Sequence, residues 1–241
     1  MTVRLVLWDV DHTLLELGRL HYHLYRDAFE SWAGRAPDCL VDMSGRTDRD
    51  SMIEMLQVNE VEPSEQHLVE FSRALINVLE ERADKLPESG HPLPGAEAAL
   101  AALKDTPGVL QSVLTGNLKP LAVGKLTAFG FDKFLDFDIG GYGWDHVERG
   151  RLVDIARGRA AKKYGAVLDA TTTILIGDTP RDIEAAHVGR AVAVAVATGL
   201  SSPAELEAAG ADRVLPDLGD TGAVVRAVLD TYEAEEAELR R

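Results

Sequence analysis

Leu5-Val6-Leu7-Trp8-Asp9-Val10-Asp11-His12-Thr13-Leu14-Leu15 is the stretch that decides the fold. It opens as an apolar run of strand character and then sets two carboxylates two residues apart. Burying an ionised carboxylate without a partner costs several kcal/mol or more, so a strand carries such residues only where something compensates them. On extended backbone, side chains two apart share one side, which puts Asp9 and Asp11 together. If the strand ends at Asp9, both acids stand at its carboxyl end, where open α/β sheets bind ligands.

The 241 residues are 46% hydrophobic and 27% charged, an ordinary globular balance that allows one large domain or two unequal ones. Asp plus Glu outnumber Lys plus Arg by 40 to 25, a net charge of −15. A chain so acidic repels phosphate backbones, so no nucleic-acid partner is expected. An anionic small molecule would need a locally positive site or a metal. The single cysteine, Cys39, excludes an intramolecular disulfide and a thiolate metal cluster, and a buried or neutral thiol is expected there. Asp9 and Asp11 interrupt the apolar start, so no signal peptide is expected. No apolar run approaches the ~20 residues that span a bilayer, so no membrane partner is expected and a cytoplasmic location is.

From Glu16 to about Pro92 the pattern is helical, with Leu20, Leu24, Ala28 and Trp32 at four-residue spacing and Leu68, Ser72, Ile76 and Leu79 behaving similarly. Ser64 is a candidate N-cap. Prolines 87, 92 and 94 with Gly90 and Gly95 argue against regular structure over 86–95. Residues 16–92 therefore form an all-helical insertion, and residues 1–15 and 93–241 form the remainder. After Gly95 helices and strands alternate. Strands are expected at 109–114, 134–139 (a weak one), 172–176, 191–196 and 213–215. Helices are expected at 96–103, 120–129, 154–164, 182–188, 203–209 and from Thr221 onward. Strands apolar on both faces and joined by helices imply an α/β fold, a parallel sheet covered by helices on both faces. The acidic tail 233–238 reads as a solvated helix face.

Three strand ends carry polar residues: Asp9, Asp11 and Thr13; Thr115 and Asn117; Asp178 and Asp182. In a parallel sheet they meet at one edge. The carboxylates there repel one another and call for a cation, and an all-oxygen donor set suits Mg²⁺. Such an ion would let a dianionic phosphate approach. Each piece also has a structural use. Thr179, Pro180 and Asp182 could form a helix capping box, and Thr115-Gly116-Asn117 is a common turn. The joint occurrence, in this order and each at a strand end, points to a site.

With these residues the chain resembles the haloacid dehalogenase superfamily of phosphohydrolases. Asp9-Val10-Asp11-His12-Thr13 matches its first motif, Thr115 followed by Gly116-Asn117 its second, and Gly177-Asp178-Thr179-Pro180-Arg181-Asp182 its fourth. The insertion resembles the helical cap of the phosphoglycolate phosphatase-like subfamily. The resemblance implies a Rossmann-like catalytic core (1–15 and 93–241) with a cap domain (16–92). It implies Asp9 as nucleophile, forming an aspartyl-phosphate, and Asp11 as general acid and then base. Mg²⁺ would be held by Asp9, the Asp11 carbonyl and Asp178, with Asp182 acting through water. Thr13, Thr115, Gly116 and Asn117 would surround the phosphate, and negative charge nearby would raise the pKa of Asp11.

The third motif usually supplies a lysine. Residues 145–152 contain none, so Arg149 or Arg151 would serve, with Arg149 favoured. Lys162 and Lys163 read as surface charges. Within the cap, Gly45-Arg46-Thr47-Asp48-Arg49-Asp50 resembles a loop that faces the active site. Arg46 could bind a substrate carboxylate or second phosphate, or the loop could simply start a helix with Thr47 or Asp48 as N-cap. His12 is expected to lend its backbone N–H to phosphate. The function implied is Mg²⁺-dependent hydrolysis of a small phosphorylated metabolite, such as phosphoglycolate, by a monomer or homodimer. A phosphosugar mutase is the alternative. Asp11 argues against carbon–halogen cleavage. A Schiff-base phosphonate hydrolase would need a cap lysine, and Lys85 near the hinge is the only one there. A non-catalytic phosphate-binding protein would be expected to have lost Asp9, Asp11 or Asp178.

Overall fold

The computed structural model describes residues 2–230, so the acidic tail lies outside the described residues. Strands β1 (Arg4–Trp8), β4 (Val109–Val113), β5 (Thr173–Gly177), β6 (Val192–Val196) and β7 (Arg213–Leu215) form one sheet in the order β4-β1-β5-β6-β7. All neighbours in it run parallel. A ribbon of β2 (Leu15–Glu16) antiparallel to β3 (His91–Pro92) lies apart from the sheet. The helices are α1 (Leu20–Ala33), α2 (Asp48–Val58), α3 (Glu65–Glu80), α4 (Leu86–Ser89), α5 (Ala96–Lys104), α6 (Lys119–Ala128), α7 (Arg151–Tyr164), α8 (Pro180–Val188), α9 (Pro203–Ala208) and α10 (Thr221–Leu229).

Period-two alternation sorts the strand residues between two cores. Val6, Trp8, Ile174, Ile176, Val194 and Val196 face the side covered by α5, α6 and α10, and Trp8 is core, its indole N–H donating to Gln111 at 3.1 Å. Leu5, Leu7, Leu175, Ala193 and Ala195 face α7, α8 and α9 on the other side. The α/β architecture with helices on both faces is therefore as expected. β4 and β5 lie on opposite sides of β1, so the connections after β1 and β4 diverge and leave a crevice at the carboxyl ends of these three strands.

Residues 17–90 pack as helices beside that crevice. α1 and α3 meet through Tyr25, Phe29, Trp32 and Phe71, with the Tyr25, Phe29 and Phe71 rings edge to face at 5.8 Å. The buried face of α3 is Leu68, Phe71, Leu75, Val78 and Leu79. The expected stripe was one residue off at Ser72 and Ile76, because Phe71, the anchor against α1, sets the rotation of the helix. Ser64 caps α3 and Thr47 caps α2, each accepting from the backbone N–H three residues on. The chain enters and leaves this layer through the ribbon, where Leu93 N–H also donates to Leu14 O at 2.9 Å.

Four expectations need correction. Residues 134–139 form no strand: a short 3-10 turn covers Asp132–Phe134, and the only pairing nearby is an isolated Leu114–Gly141 bridge. The stretch 86–95 does hold regular structure, with Pro87 in the first turn of α4, where its missing N–H costs nothing, and Pro92 in the ribbon. Helices α7 and α8 begin earlier than expected, at Arg151 and Pro180. Cys39 is exposed rather than buried.

Candidate active site

The turn after β1 delivers the first two acids in different directions. Asp9 N–H donates to Ile176 O at 2.8 Å, which continues the β1–β5 ladder by one residue and fixes the Asp9 backbone. Its carboxylate meets those of Asp178, at the end of β5, and Asp182, in the first turn of α8, with one oxygen of each within 4.8 Å of the others. All three residues are buried. The capping box at Thr179 is present, and it uses Asp182 Oδ2 at 2.6 Å from the Thr179 hydroxyl. Asp182 Oδ1 remains for the cluster. The structural and the functional reading of Asp182 therefore hold together, one on each oxygen. Thr13, fully buried, donates its hydroxyl to Asp178 Oδ1 at 3.1 Å and so holds that carboxylate in place.

One guanidinium enters this cluster. Arg149 Nη2 lies 2.5 Å from both Asp9 Oδ1 and Asp182 Oδ1, and Arg149 Nη1 donates to Gly45 O at 3.3 Å. Its Nε is buried and has no hydrogen-bond partner among the described residues. Arg151 lies two residues further on, at the first residue of α7, is 60% exposed and pairs with Glu148. Of the two arginines, only Arg149 reaches the acids. Burial raises Asp9 well above the usual carboxylate range, Arg149 pulls it back, and Asp182 and Asp178 push it up again. Burial and the Asp182 charge lift Asp178 to about 7. Clustered acids whose proton affinity is raised by burial and mutual repulsion suit a hard divalent cation, whose charge would reverse that rise.

Asp11 turns away from this cluster. Both of its oxygens lie 2.9 Å from Lys125 Nζ, and Oδ2 also accepts from Asn117 Nδ2 at 2.7 Å. Burial would raise its pKa, but Lys125, with His21 and Asn117, outweighs it and holds the group well below the carboxylate range. The expectation that negative neighbours raise Asp11 is thus overturned by direction: its carboxylate faces an ammonium, not Asp9. Asn117 Nδ2 donates to Thr115 Oγ1 as well, at 2.8 Å, so the second strand end is wired to the first.

Lys125 was not anticipated. The signal was available: it follows Leu121 by four residues and falls on the buried face of α6 with Ala122 and Leu126. A lysine on an apolar stripe has to find a partner. His12 also departs from expectation. It takes the left-handed conformation, φ 62°, and its N–H donates to Leu15 O at 2.7 Å, so that group closes the turn and is not free for phosphate.

The loop before α2 rests on the rim. Asp48 N–H donates to Gly116 O and Asp48 Oδ2 accepts from Leu118 N–H, each at 2.6 Å. A Cβ at Gly116 would lie 1.8 Å from Arg46 O, so only glycine allows this approach. Arg46 lines the cavity, but its guanidinium pairs with Asp50 at 2.7 Å and with Glu54. Asp9, Asp11, Thr115, Asn117, Arg149 and Asp178 share one cavity of about 410 Å³, also lined by His21, Tyr22, Asp42 and Met43.

Comparison with known proteins agrees with this arrangement. The profile of the haloacid dehalogenase-like hydrolase family matches residues 6–187, well over half of the chain, and the chain belongs to that family. CbbY from Rhodobacter sphaeroides, solved in complex with phosphate, is similar at TM-score 0.69 and 18% identity, covering 92% of this chain and 97% of its own. β-Phosphoglucomutase from Clostridium difficile is similar at TM-score 0.67 and 16% identity, covering 98% and 100%. A predicted phosphoglycolate phosphatase from Haemophilus somnus is similar at TM-score 0.62 and 18% identity, covering 92% and 98%. At such identities the likeness is one of fold. No curated protein matches the chain significantly by sequence. Among the described residues no helix is long and apolar enough to cross a membrane.

Proposed function

We propose that this hydrolase cleaves a small phosphomonoester through an aspartyl-phosphate on Asp9, with Mg²⁺ held by Asp9, Asp178, Asp182 and the Asp11 carbonyl. The observation that carries the reading is the meeting of Asp9 with Asp178, Asp182 and Arg149 in one cluster, whose Asp9, Asp178 and Arg149 line the same cavity as Asp11. The ion would neutralise the acids and draw charge from the phosphoryl oxygens. Arg149 orients Asp9 for attack. Thr115 Oγ1 accepts from Asn117, which leaves its hydrogen to donate to phosphate. Asp11 gives a proton to the leaving oxygen and later takes one from water. In the free site Lys125 keeps it ionised; a dianionic phosphate over its open side adds negative charge and raises its proton affinity. In this reading residues 16–92 act as a cap domain over a core of 1–15 and 93–241.

The test is release of inorganic phosphate from p-nitrophenyl phosphate and from alkyl phosphates by the purified protein in Mg²⁺. Turnover is expected and is expected to stop on chelation. No release from either class would overturn the assignment.

The wall opposite Asp9 bears on the substrate. Arg46 already faces two carboxylates, and Asp42 and Asp48 line the same side. A leaving group carrying its own anion finds no unmatched cation in Arg46. Arg46 is therefore a poor anchor for the carboxylate of phosphoglycolate or the second phosphate of a mutase intermediate, and the other guanidinium on the cavity wall, Arg181, donates to Ser44 O. Arg46→Ala is expected to leave the kcat/KM ratio between neutral and carboxylated phosphoesters unchanged within about threefold. Selective loss on the carboxylated esters would instead make Arg46 their anchor.

A further inference from the structure

We propose that Lys125 is the positioning residue for Asp11: from inside the core it holds the carboxylate turned toward the cavity at the angle its proton transfer needs. The inference rests on the reading of Asp11 as the group that serves the leaving oxygen. Lys125 lies in α6, outside the matched motifs, and its side chain is 1% exposed, whereas that of Asp11 is 31% exposed. The pair is thus sealed on one side and open on the other. The ammonium straddles the carboxylate at 2.9 Å from each oxygen and sets a further N–H on Asn117 Oδ1, also at 2.9 Å. Asn117 in turn donates to Asp11 and to Thr115.

Burying a lysine is costly, and sequences keep one inside only where a partner and hydrogen bonds match it. A structural reason would be met more cheaply by a leucine at this position, on the stripe formed by Leu121, Ala122 and Leu126. What leucine cannot do is fix the rotamer of an acid whose open edge must face a leaving oxygen. Lys125 borders the cavity beside Asp11, and its hydrogen bonds go to Asp11 and Asn117 rather than to the Asp9 cluster. It acts through Asp11, and a misplaced proton donor loses rate without losing binding.

The consequence is selective. Departure of an alkoxide depends on proton transfer, and departure of p-nitrophenolate scarcely does. Lys125→Met is expected to lower kcat/KM for an alkyl phosphate at least about 30-fold, and for p-nitrophenyl phosphate less than about threefold. Inhibition by orthovanadate is expected to stay unchanged. A double-mutant cycle separates positioning from packing. In an Asp11→Asn background, Lys125→Met should bring no further loss on alkyl phosphates, because the group it positions is gone. Equal losses on both substrate classes, or an additive loss in the Asp11→Asn background, would overturn the inference and leave Lys125 as a packing residue. Should Lys125→Met alone not fold, the cycle is built instead from Lys125→Arg, Asp11→Asn and the double variant carrying those same two substitutions, with the same two outcomes. If the wild-type protein releases no phosphate from any ester, the functional reading fails first. Wild-type turnover with an unselective Lys125→Met disposes of the positioning role alone.

Discussion

Asp9→Asn is expected to slow phosphate release by at least about 10⁴-fold, on the scale seen when a nucleophile is removed, and to leave the fold intact. An amide of the same shape keeps the backbone bond to Ile176 and still accepts from Arg149, but it cannot form the acyl phosphate. One of three crowded carboxylates disappears with it. Burial already holds Asp9 above the ordinary range, so its ionised form is a strain on the folded state near neutral pH. The unfolding midpoint in urea should therefore match or exceed that of wild type. Acid-quenched wild type should carry phosphate on the peptide that contains Asp9, and Asp9→Asn should carry none. Full activity in the variant would remove the covalent mechanism.

The second large effect separates two arginines that are neighbours in sequence. Arg149→Ala should cost about 10³-fold in kcat/KM, comparable to losing a main transition-state donor, while Arg151→Ala should leave it within about twofold, as an exposed residue paired with Glu148 would. Arg149→Ala should also destabilise the protein by about 3–5 kcal/mol at neutral pH, since it breaks a buried ion pair. The sign with pH follows from the acids left behind. Without the guanidinium the folded pKa values of Asp9 and Asp178, already raised by burial, rise further above the unfolded value near 4. The native state then holds protons that the unfolded chain releases, so stability falls as pH rises from the unfolded value through the folded one. The deficit relative to wild type should be small near pH 4 and grow toward pH 7. Arg149→Lys should recover only part of it, because an ammonium standing where Nη2 meets Asp9 and Asp182 leaves Gly45 O without the donor that Nη1 supplies. Urea titrations at the two pH values, in chelator, measure all of this. A deficit that is flat with pH would mean that Arg149 acts through packing rather than charge.

Much of the site was legible because an acid that follows an apolar strand advertises itself. Asp9 and Asp178 could be read as a pair from their strands, and Asp182 from its spacing along the next helix. The crevice followed from strands apolar on both faces. What could not be read were directions. Asp9 and Asp11 share a side only on extended backbone, and the chain leaves β1 after Trp8 and turns at His12 with φ 62°. That turn sends Asp11 to an ammonium contributed by a helix 114 residues away. The ribbon was equally hidden, since Leu15–Glu16 and His91–Pro92 have no strand character alone and exist only as partners. Arg46 could be placed at the rim by its loop, but the carboxylates that occupy it, Asp50 and Glu54, gain that role only once α2 brings them onto its side.

That two-strand ribbon has a consequence for how such a chain can change over generations. The helical layer of residues 17–90 begins and ends at one point, and its two connections are hydrogen-bonded to each other. A replacement of any length with the same two ends could be spliced there without moving a strand of the sheet. The chemistry at Asp9 and the wall that faces it are thus separable by inheritance: one can drift, be exchanged or be duplicated while the other stands still.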